Sequence, residues 1–340
     1  MTTARLARAV DIALEASVVG SFSRAGAVVR GRLEHWRPPS DLTGRVVIVT
    51  GASSGIGRAA ALELARLGAT VWLVGRDKAR TEAAAGEART LGAGASVETA
   101  VFDIVDTEAL DAFVARMVTE HERLHGLVHA AGALFPTYRS APDGGELTVA
   151  TAVLAPFRLT WLLSPLLRRA GDANIVTLSS GGMYTQPFDL ARLEMSPGEY
   201  RGTTAYARAK RAQVVLSHEW ARRWGGDGVA SYAAHPGWVD TPGLASGLPS
   251  FAKLGPLLRT PGQGADTVVW LASGGARAPG LPDPLMEGFF HDRHRRSEHH
   301  LPWTARGAGA AEGARLWEWC QSHTDLRGEP PAPSTTAGKQ

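Results

Sequence analysis

Residues 46–57 read Val46-Val47-Ile48-Val49-Thr50-Gly51-Ala52-Ser53-Ser54-Gly55-Ile56-Gly57. An unbroken β-branched run from Val46 to Thr50 predicts a strand buried on both faces, as in a parallel sheet. Glycines follow at once, and a helical pattern over 56–67 begins among them. A strand that passes through glycines into a helix leaves backbone N–H groups unpaired at the helix N-terminus, and it lets a pyrophosphate approach where a side chain would block it. Gly51, Ser53, Ser54, Gly55, Ile56 and Gly57 are therefore candidate contacts to a dinucleotide.

Outward from this turn the alternation continues. Short β-branched runs at 46–50, 70–74, 96–102, 126–131, 175–179 and 229–235 alternate with helical patterns at 56–67, 77–90, 107–121, 146–169, 203–224 and 263–273, and a last strand is expected at 287–291. Strands alternating with helices predict βαβ units, hence an α/β, doubly wound parallel sheet of the Rossmann type, with ligands outside the carboxyl ends of the strands. The second strand ends in Val74-Gly75-Arg76-Asp77, where such folds contact the adenosine ribose. An acidic residue at that strand end would suit a 2′-hydroxyl; the planar fork of Arg76 suits a 2′-phosphate, which favours NADP(H) over NAD(H).

A second group of residues lies further along. Tyr206 and Lys210 stand four apart near the start of the helix at 203–224, so the phenol and the ammonium share a face. Ser179-Ser180 closes the fifth strand, and His235-Pro236-Gly237-Trp238-Val239-Asp240-Thr241 closes the sixth, both at the ligand end of the sheet.

Composition narrows the classes. With 44% hydrophobic and 20% charged residues the chain has material for a sizeable core. Only four lysines stand among 36 basic residues and the net charge is +3, so no basic tract points to nucleic acid. Cys320 alone cannot form an internal disulfide, which fits a reducing, cytoplasmic setting. No apolar run reaches the roughly 18 residues needed to span a bilayer. Residues 1–43 are read as one helix and a linker, with Leu6, Val10, Leu14 and Val18 at near-helical spacing. That helix is expected to pack on its own domain or on a partner subunit in a homo-oligomer. The alternative is peripheral membrane contact through residues 1–36 by Arg5, Arg8 and the apolar stripe, and Asp11 and Glu15 dilute such a basic face. The domain proper is placed at 44–295, a C-terminal extension with a short helix around 309–320 at 296–327, and a disordered Pro/Ser/Thr tail at 328–340. His291, His294, His299 and His300 lack carboxylates or cysteines at ligand spacing, so no metal site is assigned. Trp317 and Trp319 are expected to anchor the last helix on the core.

The ordered set of glycine turn, Asp103, Gly132, Ser180, Tyr206, Lys210 and Pro236-Gly237 resembles the short-chain dehydrogenase/reductase family, from about residue 44 to at least 275. Ser180–Met183, Tyr206–Val215, His235–Gly243, Gly262–Ala272 and Phe289–Arg293 are similar to the branch called dehydrogenase/reductase SDR family member twelve. The resemblance implies that Asp103 and Ile104 border the adenine, that Ala130, Gly132, Pro236 and Gly237 also line the cofactor, and that Val239 and Thr241 hold the nicotinamide end. It also implies Tyr206 as proton donor or acceptor, Lys210 as its partner and ribose ligand, and Ser180 as hydrogen-bond partner of the reacting oxygen. Two departures stand out. Strand four ends in His129-Ala130-Ala131-Gly132 where the family has Asn-Asn-Ala-Gly, and Ala152 stands where it has an Asn that positions a relay water. The implied function is NADP(H)-dependent interconversion of a carbonyl and an alcohol on a small lipophilic substrate, with water and backbone carbonyls completing the relay. The alternative is an NADP-binding regulatory or scaffold protein whose turnover is attenuated by Ala152. Met183, Tyr184, Phe188, Leu190, Trp238 and Leu244 are candidate walls of an apolar substrate pocket.

Overall fold

A computed structural model describes residues 3–92, 94–278, 285–305 and 309–330. In chain order the elements are α1 (Thr3–Glu15), α2 (Val18–Phe22), α3 (Arg24–Glu34), β1 (Val46–Thr50), α4 (Gly55–Arg66), β2 (Thr70–Gly75), α5 (Lys78–Leu91), β3 (Val97–Val101), α6 (Thr107–Glu120) and β4 (Gly126–His129). There follow α7 (Leu147–Val149), a π-helical turn at Ala150–Leu154, α8 (Ala155–Ala170), β5 (Asn174–Leu178), α9 (Gly202–Trp224), β6 (Ala230–Ala234), α10 (Pro242–Gly247), α11 (Pro249–Ala252), α12 (Pro261–Ala272), β7 (Glu287–His291), β8 (His294–Arg295) and α13 (Ala310–His323).

The strands form one sheet in the order β3-β2-β1-β4-β5-β6-β7-β8, parallel except for β8, which runs antiparallel to β7. Strand order reverses between β1 and β4, so the chain leaves these neighbours in opposite directions and opens a crevice at their carboxyl ends. Side chains alternate across β1: Val47 and Val49 pack on one face with Leu64 of α4, Ala84 of α5 and Val268 of α12, and Ile48 packs on the other with Leu110 of α6, Phe157 of α8 and Leu216 of α9. Burial on both faces is the physical reason for the continuous β-branched run. Trp317 completes the second face, its ring 5.0 Å from Phe157 and 5.3 Å from Trp161, so it anchors α13 as expected; Trp319 beside it is half-buried. The continuous helical stretch Leu147–Ala170 is long and apolar enough to span a bilayer by composition, contrary to the sequence reading; most of it is buried in the protein as the central helix of this layer.

The N-terminus is three helices rather than one. Ser17 accepts a hydrogen bond from Gly20 N and starts α2, and Ser23 stands before α3, so two cap residues break the helical run. These helices pack on the sheet: Phe22 is buried against His235 and His291, at ring distances of 4.2 and 5.4 Å, and Arg259 donates to the carbonyls of Ser21 and Phe22 at 2.6 and 3.1 Å. Asp11 and Glu15 turn inward to Arg30 and do not dilute an outer basic face; Leu6, Ile12, Val18 and Val19 are exposed. Residues 331–340 of the expected disordered tail lie outside the described residues.

Candidate active site

The glycine turn is as close-packed as the sequence requires. Gly51 has φ 68°, and a Cβ there would lie 2.8 Å from Ala131, so the β1 turn and the β4 turn touch through backbone. Thr50 ties them together: its Oγ1 accepts the N–H groups of Ala130 and Ala131 at 3.2 Å each and donates to Val128 O at 3.3 Å. A Cβ on Gly55 would meet the Thr241 methyl at 3.1 Å, which places Thr241 over the N-terminus of α4. Thr241 also caps α10, accepting from Leu244 N at 3.1 Å. Ser53 and Ser54 are half-buried on the same turn, and Ile56 packs towards Gly264 of α12. Side chains at Gly51, Gly55 and Gly57 would run into neighbouring protein atoms, so the turn stays tight and presents backbone at the N-terminus of α4, a surface that fits a pyrophosphate.

Arg76 follows β2 with its side chain 60% exposed, and its only charged partner among the described residues is Asp103 at 3.8 Å. Asp77, which could have engaged it, instead accepts from Arg80 N at 2.9 Å and caps α5. The guanidinium thus faces solvent with only this distant partner beside it. Ile104 is buried in the core, and Val239 is buried beside Arg259, to which it bridges as an isolated strand pair. Pro236 is half-buried; at Gly237, φ is 78° and a Cβ would meet Arg259 Nε at 2.4 Å and Phe22 O at 2.6 Å. The side-chain direction of Gly237 is therefore occupied by the N-terminal segment.

Ser180, Tyr206 and Lys210 come together from two elements. Ser180 follows β5 and its Oγ accepts from Gly182 N at 3.2 Å, on the Tyr206 side of the turn: a Cβ on Gly182 would lie 3.6 Å from that oxygen and 4.0 Å from the Tyr206 ring. Burial raises the Tyr206 pKa above the ordinary phenol value, and the Ser180 hydroxyl works against that rise. Lys210, on the same face of α9, has its Nζ 5.5 Å from the centre of the Tyr206 ring. It is 4% exposed and donates to Leu178 O at 2.7 Å and to Gln213 Oε1 at 3.0 Å. Both acceptors are neutral, and burial without a carboxylate pushes the ammonium down to about 7. Ser179 Oγ donates to Lys210 O at 2.9 Å and fixes this turn of α9 against β5. A Cβ on Gly132 would be 3.4 Å from Lys210 Nζ, so the β4 turn, the lysine and the glycine turn form one continuous surface.

Gln213 was not singled out from the sequence. Its Nε2 donates to the carbonyl oxygen of Ala152 at 2.8 Å while its Oε1 takes the lysine. A signal was present: residue 213 stands three after Lys210 and so on the same helical face. His129, in place of the family's first Asn, is buried and shares a hydrogen bond of 2.7 Å with Thr160 Oγ1.

The apolar pocket expected from the sequence needs correction. Met183, Tyr184 and Phe188 are core residues: Met183 is fully buried, Tyr184 donates to Ser297 O at 3.1 Å, and Phe188 joins the α8 layer. Leu190 lines a groove with Arg315 and Trp319 of α13. Trp238 and Leu244 are half-buried, and Trp238 packs against Phe251 at 4.9 Å. The four histidines near the C-terminus each meet a different partner: His291 stacks on His235, His294 binds Glu34, His300 lies 3.7 Å from Glu15, and His299 is beside Thr304. Asp11, Glu34 and His294 approach one another, with Asp11 already paired to Arg30 and Arg296.

A family model described as short chain dehydrogenase matches residues 45–248. Human dehydrogenase/reductase SDR family member 12 is 38% identical over 278 residues, covering 82% of this chain and 85% of that protein. Human retinol dehydrogenase 11 is 32% identical over 286 residues, with 82% and 85% covered. Among solved structures, a Shigella flexneri protein described as a short chain dehydrogenase and complexed with NADP superimposes with a TM-score of 0.58 at 26% identity, over 74% of this chain and 98% of its own. The family match runs from β1 through α10 and contains the glycine turn, Ser180, Tyr206, Lys210 and Thr241; the chain belongs to the short-chain dehydrogenase/reductase family of oxidoreductases, in the branch of dehydrogenase/reductase SDR family member 12.

Proposed function

We propose that the chain interconverts a carbonyl and an alcohol on a small, lipophilic molecule with NADP(H) as the redox partner. The observation that carries this reading is Lys210: a buried ammonium with two neutral acceptors, set 5.5 Å from the centre of the Tyr206 ring. Such a site favours movement of a proton at the Tyr206 oxygen, because a nearby cation stabilises phenolate and a hydroxyl donor stabilises negative charge on a reacting oxygen.

The glycine turn and the N-terminus of α4 would hold the pyrophosphate, Arg76 the 2′-phosphate, and Thr241 the end nearer the nicotinamide. Asp103, Ala130, Gly132 and the Pro236–Val239 segment would complete the walls. Lys210, with one N–H beyond its two protein acceptors, would reach the ribose hydroxyls. When bound, the dinucleotide supplies or accepts the hydride. Tyr206 would give its proton to the carbonyl oxygen in reduction and take it back in oxidation, and Ser180 would donate to that oxygen. Lipophilic selectivity is supported by the half-buried Trp238 and Leu244 at the mouth of the sheet and by the kinship with an enzyme named for retinol.

The test is NADPH oxidation against a panel of aldehydes, ketones and quinones, with Tyr206→Phe alongside. Turnover is expected, and Tyr206→Phe should lose about 10²–10⁴-fold in rate while retaining NADPH affinity. NADPH binding with no turnover on any class would favour the regulatory or scaffold alternative. Turnover at the parent rate in Tyr206→Phe would move the chemistry elsewhere.

A further inference from the structure

Position 152 lacks the side chain that the family places there, yet the region is not left open. Pro156 is the reason. A helical carbonyl is normally met by the N–H four residues on, and four residues after Ala152 stands a proline, which has none. A π-helical turn stands at Ala150–Leu154, just before the proline. The same helix contains a second case: Pro165 withholds its N–H from Trp161, and there Ser164 Oγ, one residue before the proline, donates to Trp161 O at 2.8 Å. Before Pro156 the corresponding residue is Ala155, which has nothing to donate. The donor comes instead from α9, as Gln213 Nε2 at 2.8 Å.

The other end of that carboxamide is 3.0 Å from Lys210 Nζ. Few side chains could serve both ends. A carboxylate would pair with the lysine but repel the Ala152 carbonyl; a lysine or arginine would satisfy the carbonyl but repel Lys210; a hydroxyl is too short for both. A carboxamide gives a hydrogen and accepts one along the same axis. We propose that Gln213 is a positioning residue for the reaction, bridging the Ala152 carbonyl, to which Pro156 has no N–H to give, to Lys210 and holding the ammonium in place in the absence of the family's asparagine. This rests on the assignment of Lys210 to the site of proton movement. Gln213 itself need not touch substrate or cofactor.

A purely structural role, mending the carbonyl, predicts a loss of stability alone. Two readouts separate the roles. The chain has only four lysines, Lys78, Lys210, Lys253 and Lys339, so ¹³Cε labelling of lysine in the full-length protein gives a short spectrum in which Lys210 is assigned by its absence in Lys210→Met. Gln213→Glu is expected to raise the Lys210 titration midpoint by about 1–3 units, the effect of an opposite charge in contact. Gln213→Met, which keeps length and removes both polar ends, is expected to lower it. In turnover with NADPH and the best carbonyl of the panel, Gln213→Met should reduce kcat by up to about 10²-fold, the cost of a misplaced group, with a smaller change in KM for NADPH. Ala152→Asn in the parent chain should bring no gain in kcat, since the carboxamide is already there. The proposal is overturned by a Lys210 titration that is the same in parent, Gln213→Met and Gln213→Glu, or by a raised kcat in Ala152→Asn. If no carbonyl is turned over, the function assignment fails while the titration still decides whether Gln213 governs Lys210.

Discussion

Two of the places where the described residues bury cations do so in opposite ways. Around Asp292, Arg30 and Arg259 are each 1% exposed, and the carboxylate takes Arg30 Nη1 at 2.7 Å and Arg259 Nη2 at 2.9 Å; Arg30 also binds Asp11 at 2.7 Å and Glu15 at 3.0 Å. Burial opposes ionisation of Asp292, but His291, Arg259 and Arg30 hold its carboxyl well below the usual range. At Lys210 burial is nearly as deep and the acceptors are a carbonyl and a carboxamide. The first arrangement removes chemical freedom; the second leaves a cation whose proton is loosely held. At Asp292 neutralisation makes a fastening; at Lys210 no carboxylate does so.

Lys210→Met should break the contrast most strongly. Removing the ammonium is expected to cost about 10²–10⁴-fold in rate, the scale of an acid–base contribution. Stability should respond with a definite sign. Lys210 is pushed to about 7 in the folded chain from 10.5, so between these values the unfolded chain holds the extra proton and stability rises with pH. The burial penalty is full below about pH 7, and differential scanning calorimetry of the apoprotein should show Lys210→Met gaining more on the parent at pH 6 than at pH 9. Equal gaps at both pH values would mean that the lysine is not strained by burial.

Arg30→Met tests the other side. Breaking a buried ion pair from one partner costs about 3–5 kcal/mol, and a fall in Tm on the order of 10 °C is expected. A loss under about 1 kcal/mol would place this cluster with surface pairs. Arg76→Ala lies on the solvent side and should leave Tm unchanged, weakening NADPH by about 1.5–3 kcal/mol and NADH hardly at all. Equal losses for both cofactors in a titration would remove the 2′-phosphate assignment.

The smallest effect concerns His218, between Glu298 at 2.6 Å and Glu287 at 3.0 Å. Burial opposes its charge, but the hydrogen bonds and fields of Glu298 and then Glu287 prevail and raise it to about 9. Its stabilisation is complete below the unfolded value of 6.5 and is lost as pH rises through about 9, opposite in slope to the lysine. His218→Gln should therefore flatten the fall of Tm between pH 7 and 9, as scanning calorimetry would show; an unchanged slope would count against the pairing.

What could be read from the sequence follows the range of the forces involved. The turn at Gly51–Gly57 and the pair Tyr206 and Lys210 are local patterns, and the structure brings them together with Ser180. Gln213 was missed because its role is created by a proline in another helix. Met183, Tyr184 and Phe188 looked like pocket walls because hydrophobic residues in a long loop carry no mark of what will cover them; the bond from Tyr184 to Ser297 spans 113 residues. β7 was legible at 287–291, but β8 and the turn between the two strands gave no signal. The turn residues Asp292 and Arg293 adopt φ of 50° and 60°, where Asn-Gly is usual, and the ion pairs of Asp292 offset that strain.

The bond between Arg30 and Asp292 joins residues 262 positions apart. At synthesis rates of about 5–20 residues per second, Arg30 waits roughly 13–50 s for its last partner to be made. Through that interval it has Asp11 and Glu15 for company, while Arg259 and the β7–β8 turn are still to come. The helices that leave the ribosome first are thus among the last to be fully paired, and a chain cut short before residue 292 would lack the carboxylate that joins Arg30 to Arg259.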